Sequence, residues 1–429
     1  MSNIKAKPPT YSESYKRYVL LALTGVYIFN FIDRQILVIL QESIKNDLGL
    51  SDTQLGLLTG FAFAIFYVTL GIPIARLADR SNRKRIIAIS LAVWSIMTVL
   101  SGRAMNFVQL LLARIGVGIG EAGASPPAHS IISDYYPANK RATALATYSM
   151  GIYIGILLGY LFGGWLDEFF GWRTALIVVG VPGVLYALIF YFTVQEPPRG
   201  YSETTEIKSA NDYSMGQVFR LLMSRKAFVL LAIAAGCDAF AAYGIGNWLP
   251  SFLRRVHGME SGEIGVWLAM GSGGGGIIGV WLGGYLADRF GQQDKRWYLW
   301  LPAITIGLSI LLGFYMLFSP TKYGVVITNL IVKTLWATYL GPSIAMAHGM
   351  VGLKMRALAS AVLLLFINLI GLGLGPLFIG MISDYLEPSY GIYSIQYAMI
   401  FGLVVCGLSA ILYWRAAYYL RADLARAPK

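Results

Sequence analysis

Apolar runs of about the length needed to cross a bilayer, roughly 20 residues, recur along the whole chain, and they limit the fold more than anything else in it. The runs do not alternate polar and apolar with period two, which excludes a membrane β-barrel. At 56% hydrophobic and 13% charged over 429 residues, the chain is too apolar for a soluble protein. It reads as an all-α integral membrane protein with twelve spans, at about 18–41, 53–75, 86–102, 106–128, 142–166, 174–194, 227–250, 264–287, 298–318, 322–346, 357–383 and 394–414. The polar start, MSNIKAKPPTYSESYKR, carries no cleavable signal, so the first span is expected to direct its own insertion.

The net charge of +12 would suggest nucleic acid in a soluble chain. Here the charge is explained by topology, and no nucleic-acid partner is expected. With the N-terminus inside, 25 of the 34 Lys and Arg fall in inner segments and six in outer loops. That asymmetry places both termini in the cytoplasm and supports an even number of spans. The expected location is the plasma (inner) membrane. Cys237 and Cys406 both lie in apolar runs with no CxxC spacing, so they say nothing about redox compartment.

One long hydrophilic segment interrupts the pattern. It begins QEPPRG, where proline removes a backbone donor and stops the helix. It ends MGQVFRLLMSRKAF, whose apolar and basic residues at helical spacing suit a helix lying on the membrane surface. The expected division is an N-terminal six-helix bundle (1–194), a cytoplasmic linker with a surface helix (195–226) and a C-terminal six-helix bundle (227–429). The bundles look related. LADR follows the second span of each, at 77–80 and 286–289, and GYLFGG (159–164) in span 5 matches GPLFIG (375–380) in span 11. Two related bundles suggest a transporter that holds its substrate between them near the midplane.

The charges inside the spans are sparse and ordered. Span 1 has Asp33 and Arg34, span 4 has Arg114 and Glu121, span 7 has Asp238, span 10 has Lys333, and the other spans have none. Every third helix is charged, as expected if each bundle is two three-helix units with the charge on the first helix of each. Charged side chains avoid lipid, so these helices should face a shared interior path. Asp33 and Arg114 each lie about 12 Å from the outer end of their span, level enough to pair. Glu121 sits two turns deeper than Arg114 on the same face. A structural role as a sealed ion pair is the alternative, although desolvation often outweighs the attraction in such pairs. A carboxylate that moves relative to an arginine changes its proton affinity, which is a physical basis for coupling protons to conformation.

These features resemble the major facilitator superfamily. ARLADRSNRKR (75–85) is similar to its signature after span 2, with Ala75 and Asn82 in place of two glycines, and GYLADRFG (284–291) keeps both. RIGVGIGEAG (114–123) resembles the span-4 motif, and GYLFGG resembles the antiporter motif of span 5 with Tyr160 in place of proline. NFIDR, ADRSNRK, RIGVGIGEA and DYYPANKRATALA together resemble the spinster-like branch. The resemblance implies proton-coupled transport of amphipathic lipids such as lysolipids or sphingosine-type molecules, by a monomer in the bilayer, with no cofactor. By position, Asp33, Glu121, Arg34 and Arg114 would couple protons. Asp79, Arg80, Arg83 and Lys84, with Asp288 and Arg289 of the second copy, would form the cytoplasmic gate. Asp-Arg in span 1 with Gly-Glu-Ala in span 4 also occurs in organic-anion symporters, so an anion/proton symporter or a drug/proton antiporter is the alternative.

Tyr148, Tyr153, Tyr160, Trp248, Trp267 and Trp336 suit interfaces and packing. Tyr148, Tyr153 and Trp336, with Asp238 and Lys333, are the candidates for lining a substrate cavity. GSGGGG (271–276) lacks the G-K-[ST] ending of a phosphate loop and sits mid-span, so close packing or a bend explains it better. HSIISD (129–134) has the H-x-x-x-x-D spacing of glycerolipid acyltransferases, in which His129 would act as general base oriented by Asp134. No soluble loop is long enough to hold an acyl-CoA, so an enzyme is the remote alternative.

Overall fold

A computed structural model of the chain describes residues 11–202, 214–352 and 355–427, without the side chains of residues 72, 79, 138, 139, 142 and 357. All regular structure among the described residues is helical. Helix α1 is Glu13–Leu48, capped by the Ser12 hydroxyl at one end and by left-handed Gly49 at the other. Helix α2 runs as Asp52–Gly56, a π-helical stretch Leu57–Phe61 and Ala62–Arg80. Helix α3 is Arg83–Ser101, and α4 is Phe107–Glu121 continued after a short break by Ser125–Tyr135. One helical run, Ala138–Thr193, is parted at Gly171, whose φ of 77° suits a residue without a Cβ; it yields α5 (138–170) and α6 (172–193).

The amphipathic helix α7, Met215–Met223, starts with a Ser214–Gln217 capping box. Helix α8 is Lys226–His257. Helix α9 runs as Ser261–Leu268, a π-helical stretch Ala269–Gly274 and Gly275–Gly291. Helix α10 is Trp297–Phe318, and α11 is Lys322–Ala337 with Leu340–Gly349. Helix α12 runs as Arg356–Phe366, a π-helical stretch Ile367–Leu374 and Gly375–Tyr390. Helix α13 is Ser394–Ala425.

Among the described residues, ten uninterrupted runs are long and apolar enough to cross a membrane, and two of them, Thr143–Thr193 at 51 residues and Leu358–Ala425 at 68, are each long enough for two crossings. Splitting these at Gly171 and Gly391, both with positive φ, gives the twelve expected spans. They form two six-helix bundles, as the sequence repeat implies. The two ends of the described chain meet the segment between the bundles on one face, Tyr11 at Tyr201 and Arg426 at Arg225, here the termini face; the other is the far face.

Glycine brings the bundles together. A Cβ on Gly60 would stand 2.8 Å from the Gly373 carbonyl, and one on Gly164 would stand 3.1 Å from the Gly265 Cα. These are the α2–α12 and α5–α9 contacts, one on each side of the molecule. All three π-helical stretches lie on helices that meet the opposite bundle. The larger hydrophobic core joins the far end of the first bundle (Ile36–Leu40, Leu55, Leu58) to the second, whereas a separate core fills the first bundle toward the termini.

Candidate functional site: the buried charges between the bundles

Asp33 and Arg34 are neighbours on α1, so their side chains leave the helix about 100° apart. Asp33, 3% exposed, turns toward α3 and accepts a hydrogen bond from the Thr98 hydroxyl. Arg34 turns toward α4 and its Nε donates to Glu121 Oε2 at 2.7 Å. Its guanidinium carbon lies 4.9 Å from the ring centres of Phe31, Phe63 and Tyr67. Aromatic faces attract a cation without neutralising it. Arg114, 2% exposed, leaves Nε and Nη1 without hydrogen-bond partners, and Glu121 leaves Oε1 without one.

The structure therefore joins Arg34 to Glu121, and no Asp33–Arg114 ion pair forms. Equal depth is necessary for that pair but not sufficient, because Asp33 faces Thr98. Two carboxylates and two guanidiniums thus share one buried region with spare donors and acceptors. A single proton gained or lost there changes which partners are preferred.

In the second bundle, Asp238 is fully buried, and neither carboxylate oxygen has a partner. Lys333 Nζ donates 3.0 Å to the Ala242 carbonyl and lies 5.2 Å from the Trp336 ring centre. Trp336 is itself buried, with its indole N–H on Ser309 Oγ at 2.8 Å. Tyr148 is buried and stacks on Tyr27, with centroids 4.4 Å apart. Tyr153 is half-buried against Gly273 and Gly276 of α9, on the boundary between bundles.

On the termini face, the two LADR copies lead into different surroundings. Arg83 is 1% exposed. It donates to Glu196 (2.7 Å), Ser130 (2.8 Å), the Pro197 carbonyl (3.0 Å) and Asp134. The Lys84 amide donates to Glu196 at 2.8 Å, and its ammonium lies over the Tyr191 ring. Arg80 is exposed beside Pro73, Arg76 and Leu77, and the side chain of Asp79 lies outside the described residues. In the second bundle, Asp288 accepts from the Tyr298 hydroxyl at 2.7 Å and Arg289 reaches Tyr285 at 3.4 Å.

Asp134 is thus engaged by Arg83 and by the Gly200 amide. His129, on the same helix, stands edge-on to Tyr148 at 5.3 Å. The acyltransferase reading of HSIISD fails on this geometry, because the aspartate orients an arginine rather than the histidine.

The far face holds a polar cluster that charges inside the spans do not announce. Arg255 at the end of α8 binds Glu42 (2.6 and 3.0 Å) and Asp52 (2.6 and 2.7 Å). Asp384 of α12 accepts from the Asp52 and Thr53 amides at 2.8 and 2.7 Å, which caps α2 from the other bundle. Arg254, Ser261, Ser43 and Asp167 form a second knot. Among the described residues, every hydrogen bond and ion pair between the first six spans and the last six lies on this face. The available signal was the doublet Arg254–Arg255, two basic residues together on the sparsely basic side of the molecule.

The chain is similar to known proteins along most of its length. The profile described as Major Facilitator Superfamily matches residues 23–366. An MFS-type efflux pump of Mycolicibacterium smegmatis is 34% identical over 408 residues, covering 94% of this chain and 93% of the relative. Protein spinster homolog 1 of Homo sapiens is 27% identical over 436 residues, covering 95% and 82%. A crystal structure of a bacterial homolog of the human lysosomal transporter Spinster, inward-facing and unoccupied, superposes with TM-score 0.90 at 34% identity, covering 96% of this chain and 99% of that one. A bacterial Spinster homolog in an inward-facing and occupied conformation gives 0.85.

Proposed function

Given that this chain belongs to the major facilitator superfamily and is spinster-like, and so is a membrane transporter and not an enzyme, we propose that it is a proton-coupled carrier of amphipathic, lipid-like molecules working by alternating access. The coupling residues are Asp33, Glu121, Arg34 and Arg114. The observation that carries this is the Arg34–Glu121 ion pair in an aromatic ring beside Arg114 nitrogens that lack partners. Protonation of Glu121 releases Arg34, and protonation of Asp33 removes its attraction for Arg114. One unit of pKa difference between states is worth about 1.4 kcal/mol of bias, so two such groups can tilt an equilibrium of a few kcal/mol.

In this reading the termini are cytoplasmic, the bundles are 1–194 and 227–429, and 195–226 is the linker. With far-face bonds closed, this state faces inward, like the solved spinster relative. Arg80, Arg83, Lys84, Asp79, Asp288 and Arg289 belong to the cytoplasmic gate, with Arg83 holding the linker to the first bundle. Asp238, Lys333, Tyr148, Tyr153 and Trp336 surround the path taken by the cargo. The efflux-pump relative supports export, and the spinster relatives support an amphipathic cargo. The protein functions as a monomer, needs no cofactor and resides in the inner membrane.

The test is flux of a lysolipid into proteoliposomes under an imposed pH gradient. Stimulation by the gradient should disappear in Asp33→Asn and Glu121→Gln, with equilibrium exchange retained in at least one of them. Unaltered stimulation in both variants removes the coupling role. A second reading, anion/proton symport, is favoured by the free Arg114 nitrogens; it predicts that dicarboxylates, rather than lysolipids, raise the melting temperature.

A further inference from the structure

The second bundle holds an acid that the proposed coupling scheme does not use. We propose that Asp238 is a second proton-binding carboxyl of the transport cycle, neutral in the state seen here and ionised when Lys333 swings along α8 to meet it. This deepens the proton-coupled reading and rests on it, but it concerns the other bundle.

Asp238 is 0% exposed, and both oxygens lack hydrogen bonds. An ionised carboxylate in that situation forfeits hydration and gains nothing in return. Such a group carries its proton instead. The titratable groups within electrostatic reach of it are Cys237 beside it on α8, Lys333 and Tyr339 of α11, and Cys406 and Tyr413 of α13. Three of these have other contacts. Tyr413 bonds Ser343 at 2.8 Å, Cys406 meets Ser309 at 3.7 Å, and Lys333 donates to the Ala242 carbonyl. Among the described residues, Lys333 is the one cation within electrostatic reach of Asp238.

Position makes Lys333 a movable partner. Ala242 lies four residues beyond Asp238 on α8, one turn along the same face. The ammonium lies between that carbonyl, which points toward Gly246, and Gly246 itself, more than one turn along α8 from the carboxylate. Its slot is kept open from two sides. A Cβ on Gly246 would stand 2.7 Å from Nζ, and one on Gly275 would stand 3.2 Å from the Lys333 Cβ and 2.7 Å from the Leu330 carbonyl. Residues larger than glycine at either place would fix the lysine or exclude it. The layout also mirrors the first bundle, with the acid on its first span and the base on its fourth, as with Asp33 and Arg114.

The step balances simply. When the helices move and water reaches it, the Asp238 carboxyl gives that water one proton, and the Lys333 ammonium, keeping its own proton, becomes the partner of the carboxylate.

Infrared difference spectroscopy between acid and alkaline pH, on protein in nanodiscs, reads the proton directly. The parent should show the carbonyl stretch of a protonated carboxyl group, a component of which disappears in Asp238→Asn. That component should survive in the Asp33→Asn/Glu121→Gln double variant. Lys333→Met should hold it in place to higher pH, because no cation remains to receive the carboxylate. In the flux assay, stimulation by the gradient should fall to unity in Asp238→Asn. An unchanged carbonyl band in Asp238→Asn, or full gradient stimulation in that variant, overturns the proposal. Loss of stimulation in Asp33→Asn and Glu121→Gln alone would leave the first-bundle scheme standing and remove this one; loss in Asp238→Asn alone would do the reverse. Should Asp238→Asn fail to fold, Lys333→Met decides, since an unmoved band there is equally fatal.

Discussion

Removing Arg255 tests how the two bundles are held together. Its guanidinium makes four hydrogen bonds of 2.6–3.0 Å to Glu42 and Asp52, across the boundary between bundles. The side chains of Arg255, Glu42 and Asp52 are 11%, 9% and 2% exposed. Truncating one member of such a buried set typically costs about 3–5 kcal/mol, because it leaves the other charges unpaired. Lys45 retains 2.6 Å contact with Asp52, so the low end applies. These bonds exist only while the far face is closed, and Arg255→Ala should therefore shift the closed-to-open ratio by about 3 kcal/mol, roughly 150-fold. Spin labels at Met105→Cys and Ser389→Cys, exposed far-face sites on opposite bundles, read this by electron–electron resonance. The parent should show one short distance and the variant an added longer one. Arg255→Lys should restore it only in part, because an ammonium cannot grip two carboxylates as a planar fork does. An identical distance distribution in Arg255→Ala and parent would show that the cluster does not hold the closed state.

Other contacts can be probed one at a time. Arg83→Ala should destabilise the fold by about 3 kcal/mol, read as a lower melting temperature in detergent, since the residue is buried among four acceptors. Gly60→Val would press on the Gly373 carbonyl, 2.8 Å from a Cβ, and should lengthen the same spin-label distance without loss of either bundle. Asp294, in the loop before α10, is held at about 2 by hydrogen bonding from Arg296, with Arg421 adding to it. A depressed carboxyl contributes stability above its unfolded value and loses it as pH falls through the folded one. Melting temperature should thus show a small drop between about pH 4 and 2 that Asp294→Asn lacks; the site's exposure keeps the effect small.

The twelve spans were legible because crossing a bilayer requires length and apolarity, which composition displays directly. The buried charges were legible for the same reason: Asp33, Arg34, Arg114, Glu121, Asp238 and Lys333 stand out against apolar surroundings. Their pairing was not. Depth along a helix fixes one coordinate, whereas Asp33 meets Thr98 and Arg34 meets Glu121 because of rotation about the helix axis and the spacing of α1, α3 and α4. The far-face cluster escaped because Glu42, Asp52, Asp167, Arg255 and Asp384 sit at span ends, where charge is ordinary. The repeat GYLFGG/GPLFIG marked kinship between bundles; that Gly164, Gly380 and Pro376 make contacts across the boundary required the packing itself.

The π-helical stretches at Leu57–Phe61, Ala269–Gly274 and Ile367–Leu374 wind the backbone more widely than an α-helix does. A wide turn accommodates a surplus residue inside an otherwise α-helical run, an arrangement found frequently at functional sites. Three helices thus possess slack that proline kinks, fixed in place, do not give. Deleting a single residue within one of these turns should restore ordinary winding and be tolerated by the fold, yet leave the protein stiff: able to hold one shape, and slow to leave it.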